Sequence, residues 1–111
     1  MAAIQDYHAH VYFAQESLEQ ARALCERARD EFGLQMGRVH SKPVGPHPVW
    51  SCQLLVANSS IGELLGWLAL NRDGLTVFVH PNTGDALADH TRHAIWLGQM
   101  LPLEISIFAP T

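Results

Sequence analysis

The chain has 111 residues, 48% of them apolar, which is enough for one domain over residues 1–111 with a core of its own. Seven Lys and Arg against eleven Asp and Glu give a net charge of −4 without a basic block, which argues against nucleic-acid binding. The sequence contains neither a membrane-spanning apolar run nor a secretory leader pattern, so a cytoplasmic location is expected. Seven histidines point to metal or proton chemistry.

The first half of the chain predicts a strand, a helix and a second strand. "YHAHVYF" (7–13) alternates as a strand does, and "SLEQARALCERARDEFG" (17–33) places apolar side chains at helical spacing. Gly33 suits the C-terminal cap of that helix. A Pro/Gly loop, "SKPVGPHP" (41–48), then leads into "VWSCQLLVA" (49–57), whose composition is typical of a strand.

The second half predicts two more strands and a second helix. "SSIGELLGWLALNRDG" (59–74) fits either a short helix or a hairpin, and we interpret it as a helical insertion. "LTVFVH" (75–80) is the third strand, "ALADHTRHAIWLG" (86–98) a helix capped by Asp85, and "PLEISIFA" (102–109) the last strand. This order predicts an α+β, ferredoxin-like βαββαβ fold, with a four-stranded antiparallel sheet and two helices on one face.

Strand alternation assigns each strand residue to one of two faces of this sheet. The face covered by the helices is expected to carry Tyr7, Ala9, Val11, Phe13, Leu75, Val77, Val79, Leu103, Ile105 and Ile107. The open face is expected to carry His8, His10, Tyr12, Thr76, Phe78, His80, Glu104, Ser106 and Phe108. The apolar members of the open face suggest that a second copy of the chain partly covers it, as in a homodimer.

Three histidines and one carboxylate on a single face favour a metal or catalytic site over a purely structural role. Strand direction places His80 near His8 and His10, whereas Glu104 is displaced along the sheet. A centre formed by His8, His10 and His80 is therefore favoured. The alternative is a two-histidine, one-carboxylate set of His10, His80 and Glu104.

Four stretches run in one order over nearly the whole chain: "YHAHVYF", "GRVHSKPVGPHPVWSCQ", "WLALNRDGLTVFVHPNTGDALADHTRHAIWLG" and "LPLEISIF". Together they resemble the DOPA 4,5-dioxygenase family. The resemblance implies a small, often homodimeric enzyme that opens a catechol ring, that of L-DOPA or a relative, with Fe(II) and dioxygen. By matching motifs, it implies functional histidines at the positions His8, His10, His47, His80 and His90.

Ring opening also requires a base that accepts a phenolic proton, and a neutral imidazole suits this role. His47 and His40, in and before the Pro/Gly loop, are the candidates, and His47 is also the first replacement among the metal ligands. His90 is assigned a supporting role beside the "HPNT" loop. His93 is expected to form a plain surface pair with Asp89.

The sequence thus predicts a catechol-cleaving dioxygenase with Fe(II) held by His8, His10 and His80. Zinc can replace the iron in purified material, because histidine ligands bind zinc more tightly than Fe(II). The alternative is a dimeric metal-binding protein of the same family without ring-cleaving activity. Cys25 and Cys52 form no CxxC pair and are expected to be buried, reduced thiols.

Overall fold

The computed structural model describes residues 3–108, which form a five-stranded antiparallel sheet with helices packed against one face. The strands are β1 (Asp6–Phe13), β2 (Gln35–His40), β3 (Trp50–Val56), β4 (Thr76–Asn82) and β5 (Ile95–Leu97), in the spatial order β2-β3-β1-β4-β5. The helices are α1 (Leu18–Phe32), α2 (Ile61–Asn71) and the single turn α3 (Ala86–Asp89). Short 3₁₀ helices span Gln15–Ser17 and Ile105–Phe108.

The core lies between the sheet and the two long helices. β1 is the central strand, paired with β3 on one side and β4 on the other, so its odd-numbered residues are covered. Ala9 and Val11 are fully buried, as are Cys25 of α1 and Leu68 of α2. Both cysteines are free and buried, as expected, and Gly33 closes α1 in the left-handed conformation.

Part of the described chain follows the predicted βαββαβ order, but with different elements. β1, α1, β2, β3, α2 and β4 occur in that order, so the segment taken as an insertion is the second long helix. β2 was missed because it is an edge strand, and an irregularity between Met36 and Val39 interrupts its alternation. The ferredoxin-like prediction is therefore confirmed only in part, since the sheet has five strands rather than four.

The helix predicted over 86–98 is wrong beyond its first turn. Asp85 caps α3 by accepting a hydrogen bond from the backbone N–H of Ala88, as expected. The helix nevertheless ends at Asp89, where the Thr91 hydroxyl donates to the Leu87 carbonyl and competes with further helical bonds. The chain then turns and adds β5 to the edge of β4, so that Ile95 lies opposite Val79.

The strand predicted over 102–109 is also wrong within the described residues, and Ala109 lies outside them. This segment is irregular and ends in the 3₁₀ helix Ile105–Phe108. Ile105 and Ile107, expected in the core, are 39% and 54% exposed, and Leu103 is only half-buried. The position beside β4 that a last strand would take is occupied by β5, and Pro102 lacks the N–H that a strand would donate.

The second face of the sheet is not open, because the chain covers it. Trp96 of β5 stacks on Phe78 with ring centroids 4.6 Å apart. Phe78 is fully buried and Tyr12 is 2% exposed. The homodimer stays a prediction, but Tyr12 and Phe78, which suggested it, are already covered within one chain.

No helix in residues 3–108 combines the length and the apolar character needed to cross a membrane.

One buried and one exposed leucine of α2 give a test of this core. Leu68 is fully buried and Leu70 is 88% exposed, so Leu68→Ala leaves a cavity whereas Leu70→Ala removes no packing. We expect Leu68→Ala to lower the free energy of unfolding by about 2–5 kcal/mol. Leu70→Ala, the matched control, should change it by no more than about 0.5 kcal/mol in urea titrations. Equal effects of the two substitutions would contradict the assigned orientation of α2.

Candidate metal centre

Three histidines meet where β1 and β4 pair. The register places His8 directly opposite His80 and His10 opposite Phe78, on the face away from α1 and α2. Residues directly opposite each other on antiparallel strands have their Cβ atoms about 5 Å apart. His8, His10 and His80 each offer one ring nitrogen, and these three nitrogens lie within 4.8 Å of one another. We call this group the histidine triad.

Hydrogen bonding fixes which nitrogen of His80 is available. Its Nδ1–H donates to the carbonyl of Pro81 at 2.9 Å, which leaves the Nε2 electron pair free. That Nε2 lies 3.1 Å from Nε2 of His10. Two ligand nitrogens at right angles around an ion, each about 2.1 Å from it, would be about 3 Å apart. The donor set and this spacing therefore fit a divalent transition-metal ion.

His47 lies beside the triad rather than in it. Its ring centroid is 4.1 Å from that of His10, and its Nδ1 shares a 2.6 Å hydrogen bond with the Tyr12 hydroxyl. The loop that carries it is held from the other side, because the backbone N–H of Glu104 donates to the carbonyl of Pro46 at 2.8 Å. His47 is consequently buried and fixed in orientation against His10.

His90 packs on the opposite side, against His80. Their ring centroids are 4.1 Å apart, and the other side of His90 stacks on Phe108 at 4.3 Å. Its Nδ1–H donates to the carbonyl of Ala86 at 2.7 Å. His40, the other predicted base, lies half-buried at the end of β2, opposite Ser51, and is not part of the triad.

Asp89 and His93 form the pair that their spacing predicts, but it is not a plain surface pair, because Asp89 is buried. Asp89 is 2% exposed, and its carboxylate accepts hydrogen bonds from the Thr83 N–H and hydroxyl at 2.8 and 2.7 Å as well as from His93 Nδ1 at 2.9 Å. These bonds tie the turn after His80 to α3. The sequence offered only the presence of Thr83 in "HPNT" and Asp89 in "DH", six residues apart, and their contact is seen in the structure.

Glu104, the alternative ligand, does not reach the triad. It lies exposed in the irregular segment before the 3₁₀ helix Ile105–Phe108, where its carboxylate accepts a hydrogen bond from the Ser106 hydroxyl. Its placement depended on a last strand that the structure replaces with this segment. Among residues 3–108, the group that offers ligand atoms at metal-binding distance contains no carboxylate.

Burial favours the neutral form of His8, His10, His47 and His80. It lowers the pKa of His47 and that of His80 to about 4, and neighbouring histidines act in the same direction on both. The pKa of His10 is lowered well below its usual range by the same causes, and that of His8 is lowered by burial against an opposing effect of Asp6. At neutral pH the triad therefore offers unprotonated nitrogens to a metal ion.

An open cleft reaches the triad from the surface. Its volume is about 370 Å³, which lies within the range of small-molecule sites. Its walls include Gln5, Asp6, His8, Asn82, Asp89 and His90. Since His8 belongs to both the cleft and the triad, a molecule in the cleft would lie next to a bound metal ion.

Comparison with known proteins gives the family. The family model described as "Dopa 4,5-dioxygenase family" matches residues 7–107. The chain belongs to the Dopa 4,5-dioxygenase family. A crystal structure of a candidate dioxygenase from Nostoc punctiforme superimposes with a TM-score of 0.80 at 42% identity, over 92% of this chain and 89% of the other.

Two fungal proteins are similar to the chain over most of its length. The DOPA 4,5-dioxygenase of Amanita muscaria is 31% identical to the chain, in an alignment that covers 93% of this chain and 49% of the enzyme. An uncharacterised 21.2 kDa protein of Botryotinia fuckeliana is 40% identical to the chain, in an alignment that covers 91% of this chain and 62% of that protein. The chain thus spans between about half and two thirds of these relatives.

The lowered histidine pKa values predict how the stability of the metal-free protein depends on pH. The folded state keeps His47 and His80 neutral down to about pH 4, whereas an unfolded chain protonates them near pH 6.5. Between these values the unfolded state binds more protons, so the free energy of unfolding should fall as pH falls, by at most about 1.4 kcal/mol per pH unit for each histidine. Urea titrations at pH 7.5, 5.5 and 4.5 measure this. An unfolding free energy that stayed constant over this range would contradict the buried, neutral triad.

Proposed function

We propose that the protein is a metal-dependent dioxygenase that cleaves the ring of a catechol, with Fe(II) held by His8, His10 and His80. The observation that carries the proposal is a set of three neutral imidazoles, each with one ring nitrogen within 4.8 Å of those of the other two, beside an open cleft. Three ligands from one side leave the remaining positions of an ion free for a substrate. Family membership supplies the reaction class, and L-DOPA is the first substrate to test.

The iron, when bound, would supply the redox chemistry that allows dioxygen to react with the catechol. The protein must hold the ring in place, exclude water and accept a proton from a phenolic hydroxyl. Phe78 lies under the rings of both His10 and His80, at 5.6 and 5.3 Å between centroids, so their orientations are set before any ligand arrives.

His47 is the proposed acid–base group. It lies in ring contact with His10 and is oriented by the hydroxyl of Tyr12, so it is placed to exchange a proton with a catechol next to the triad. Its lowered pKa makes the neutral ring a weak base and the protonated ring a strong acid, which favours return of the proton. His90 is the proposed support for His80, because its ring is held between His80 and Phe108. His40, farther along the same edge, would act only through His47.

The second candidate is a metal-binding protein of the same family without ring cleavage. It is favoured by one observation, namely that the chain covers only 49% of the DOPA 4,5-dioxygenase of Amanita muscaria. Protein loaded with Fe(II) in the absence of oxygen and then given L-DOPA and air separates the two. The dioxygenase forms a coloured ring-opened product and consumes one dioxygen per catechol, whereas the binding protein does neither.

The metal ligands can be tested without turnover. We expect His10→Ala and His80→Ala to lose the bound ion, because each removes one of three ligands, while circular dichroism shows an unchanged fold. Gln53→Ala is the matched control, since Gln53 lies opposite His10 on β3 and is not a member of the triad. Elemental analysis after loading and gel filtration gives the metal content. A full equivalent of iron in either histidine variant would contradict the assignment.

Substitution of His47 should affect turnover rather than metal content, in contrast to substitution of the ligands. His47→Gln should retain a full equivalent of iron but lower kcat for ring opening about 10²- to 10⁴-fold, because the proton acceptor is lost. Tyr12→Phe should have a smaller effect, since it removes only the hydrogen bond that orients His47. Stopped-flow absorbance with a saturating catechol measures both. Loss of iron in His47→Gln would instead make His47 a ligand.

A further inference from the structure

Asp6 lies on the same face of β1 as the triad, one step farther along the strand. It is two residues before His8, which corresponds to about 7 Å along an extended strand. Its cross-strand partner is Asn82, whose side-chain N–H donates to Asp6 Oδ1 at 2.7 Å. This bond fixes the half-buried carboxylate, and because Asn82 is neutral, the contact does not balance the negative charge.

The cleft beside the triad has an acidic wall. Asp6 and Asp89 both line it, whereas Lys and Arg are absent from its lining residues. The oxygens of Asp89 are already bonded to Thr83 and His93. Asp6 is therefore the carboxylate of this wall that a bound molecule can use.

We infer that this cleft selects catechols whose side chain carries an ammonium group, and that Asp6 is the residue that receives it. The inference rests on the proposed function, in which the two catechol oxygens lie at the triad. With the ring there, a two-carbon side chain that follows β1 places its amine near Asp6, because the ring and spacer together span a distance similar to the separation of Asp6 and His8 along the strand.

The carboxylate of Asp6 also disfavours the binding of catechols that carry an acidic side chain. A carboxylate on the substrate would face Asp6 without a cation from the cleft wall to balance it, so binding is weakened by like-charge repulsion and by lost hydration. An aminoethyl catechol should therefore bind best and a carboxyethyl catechol worst. An amino-acid side chain, which carries both charges, should lie between them.

The test uses the full chain loaded with zinc and kept without oxygen, so that binding is measured independently of turnover. Calorimetric titrations with dopamine and with dihydrocaffeate give the two dissociation constants. We expect dopamine to bind at least about tenfold more tightly, and Asp6→Asn to bring the two constants close together. The Asn side chain can still accept the bond from Asn82, so the local fold should be retained.

Glu63→Gln is the matched control, because it removes one negative charge from the exposed face of α2 and leaves the cleft unchanged. It should keep the full preference for dopamine. Equal binding of the two catechols by the unaltered protein, tighter binding of dihydrocaffeate, or no binding of either would overturn the inference, as would an Asp6→Asn protein with undiminished preference. Failure of ring opening with intact selectivity in binding would instead reject the proposed dioxygenase activity alone.

Discussion

The pairing of β1 with β4 is the constraint on which the site depends. Because His8 lies opposite His80 and His10 is next in line, two short backbone segments bring three imidazoles together without any loop having to close. A shift of β1 by one residue against β4 would turn His8 and His10 into the core, put Ala9 on the other face and leave His80 alone there. The apolar residues between the histidines, fully buried against the two long helices, hold the register. The same hydrophobic contacts therefore stabilise the fold and position the ligands.

Burial gives the histidines their chemistry. Burial lowers the pKa of His8, His10, His47 and His80, and their neighbouring imidazoles would repel one another if protonated, so these four rings remain neutral near pH 7. A metal ion then has to displace only the Nε2 proton that His10 donates to Nε2 of His80 in the metal-free protein. Neighbouring groups set the orientation of these rings. Pro81 fixes the tautomer of His80, Tyr12 orients His47, and Phe108 holds His90 against His80.

Sequence reasoning was most reliable where alternation of residues had to decide between two faces. The parity of β1 and β4 assigned His8, His10 and His80 to one face, and their antiparallel direction brought them together. Prediction from the sequence failed where polar side chains competed with the backbone for hydrogen bonds. "ALADHTRHAIWLG" has helical spacing, but the bonds made by Asp89 and Thr91 end the helix early, and the chain that follows becomes β5. The carboxylate of Glu104 was placed near the triad only through a strand that does not form. The pairing of β5 with β4, which takes the place of that strand, has no local signature in one sequence.

The central claim is that a single ion binds to ring nitrogens of His8, His10 and His80. Crystals grown without oxygen from Fe(II)-loaded protein, with diffraction data collected on both sides of the iron absorption edge, test it most directly. The account predicts one anomalous peak within bonding distance of Nε2 of His10 and of His80 and of one ring nitrogen of His8. A peak on another set of side chains, such as His90 with Asp89 and His93, or no peak in protein that contains a full equivalent of iron, would contradict it.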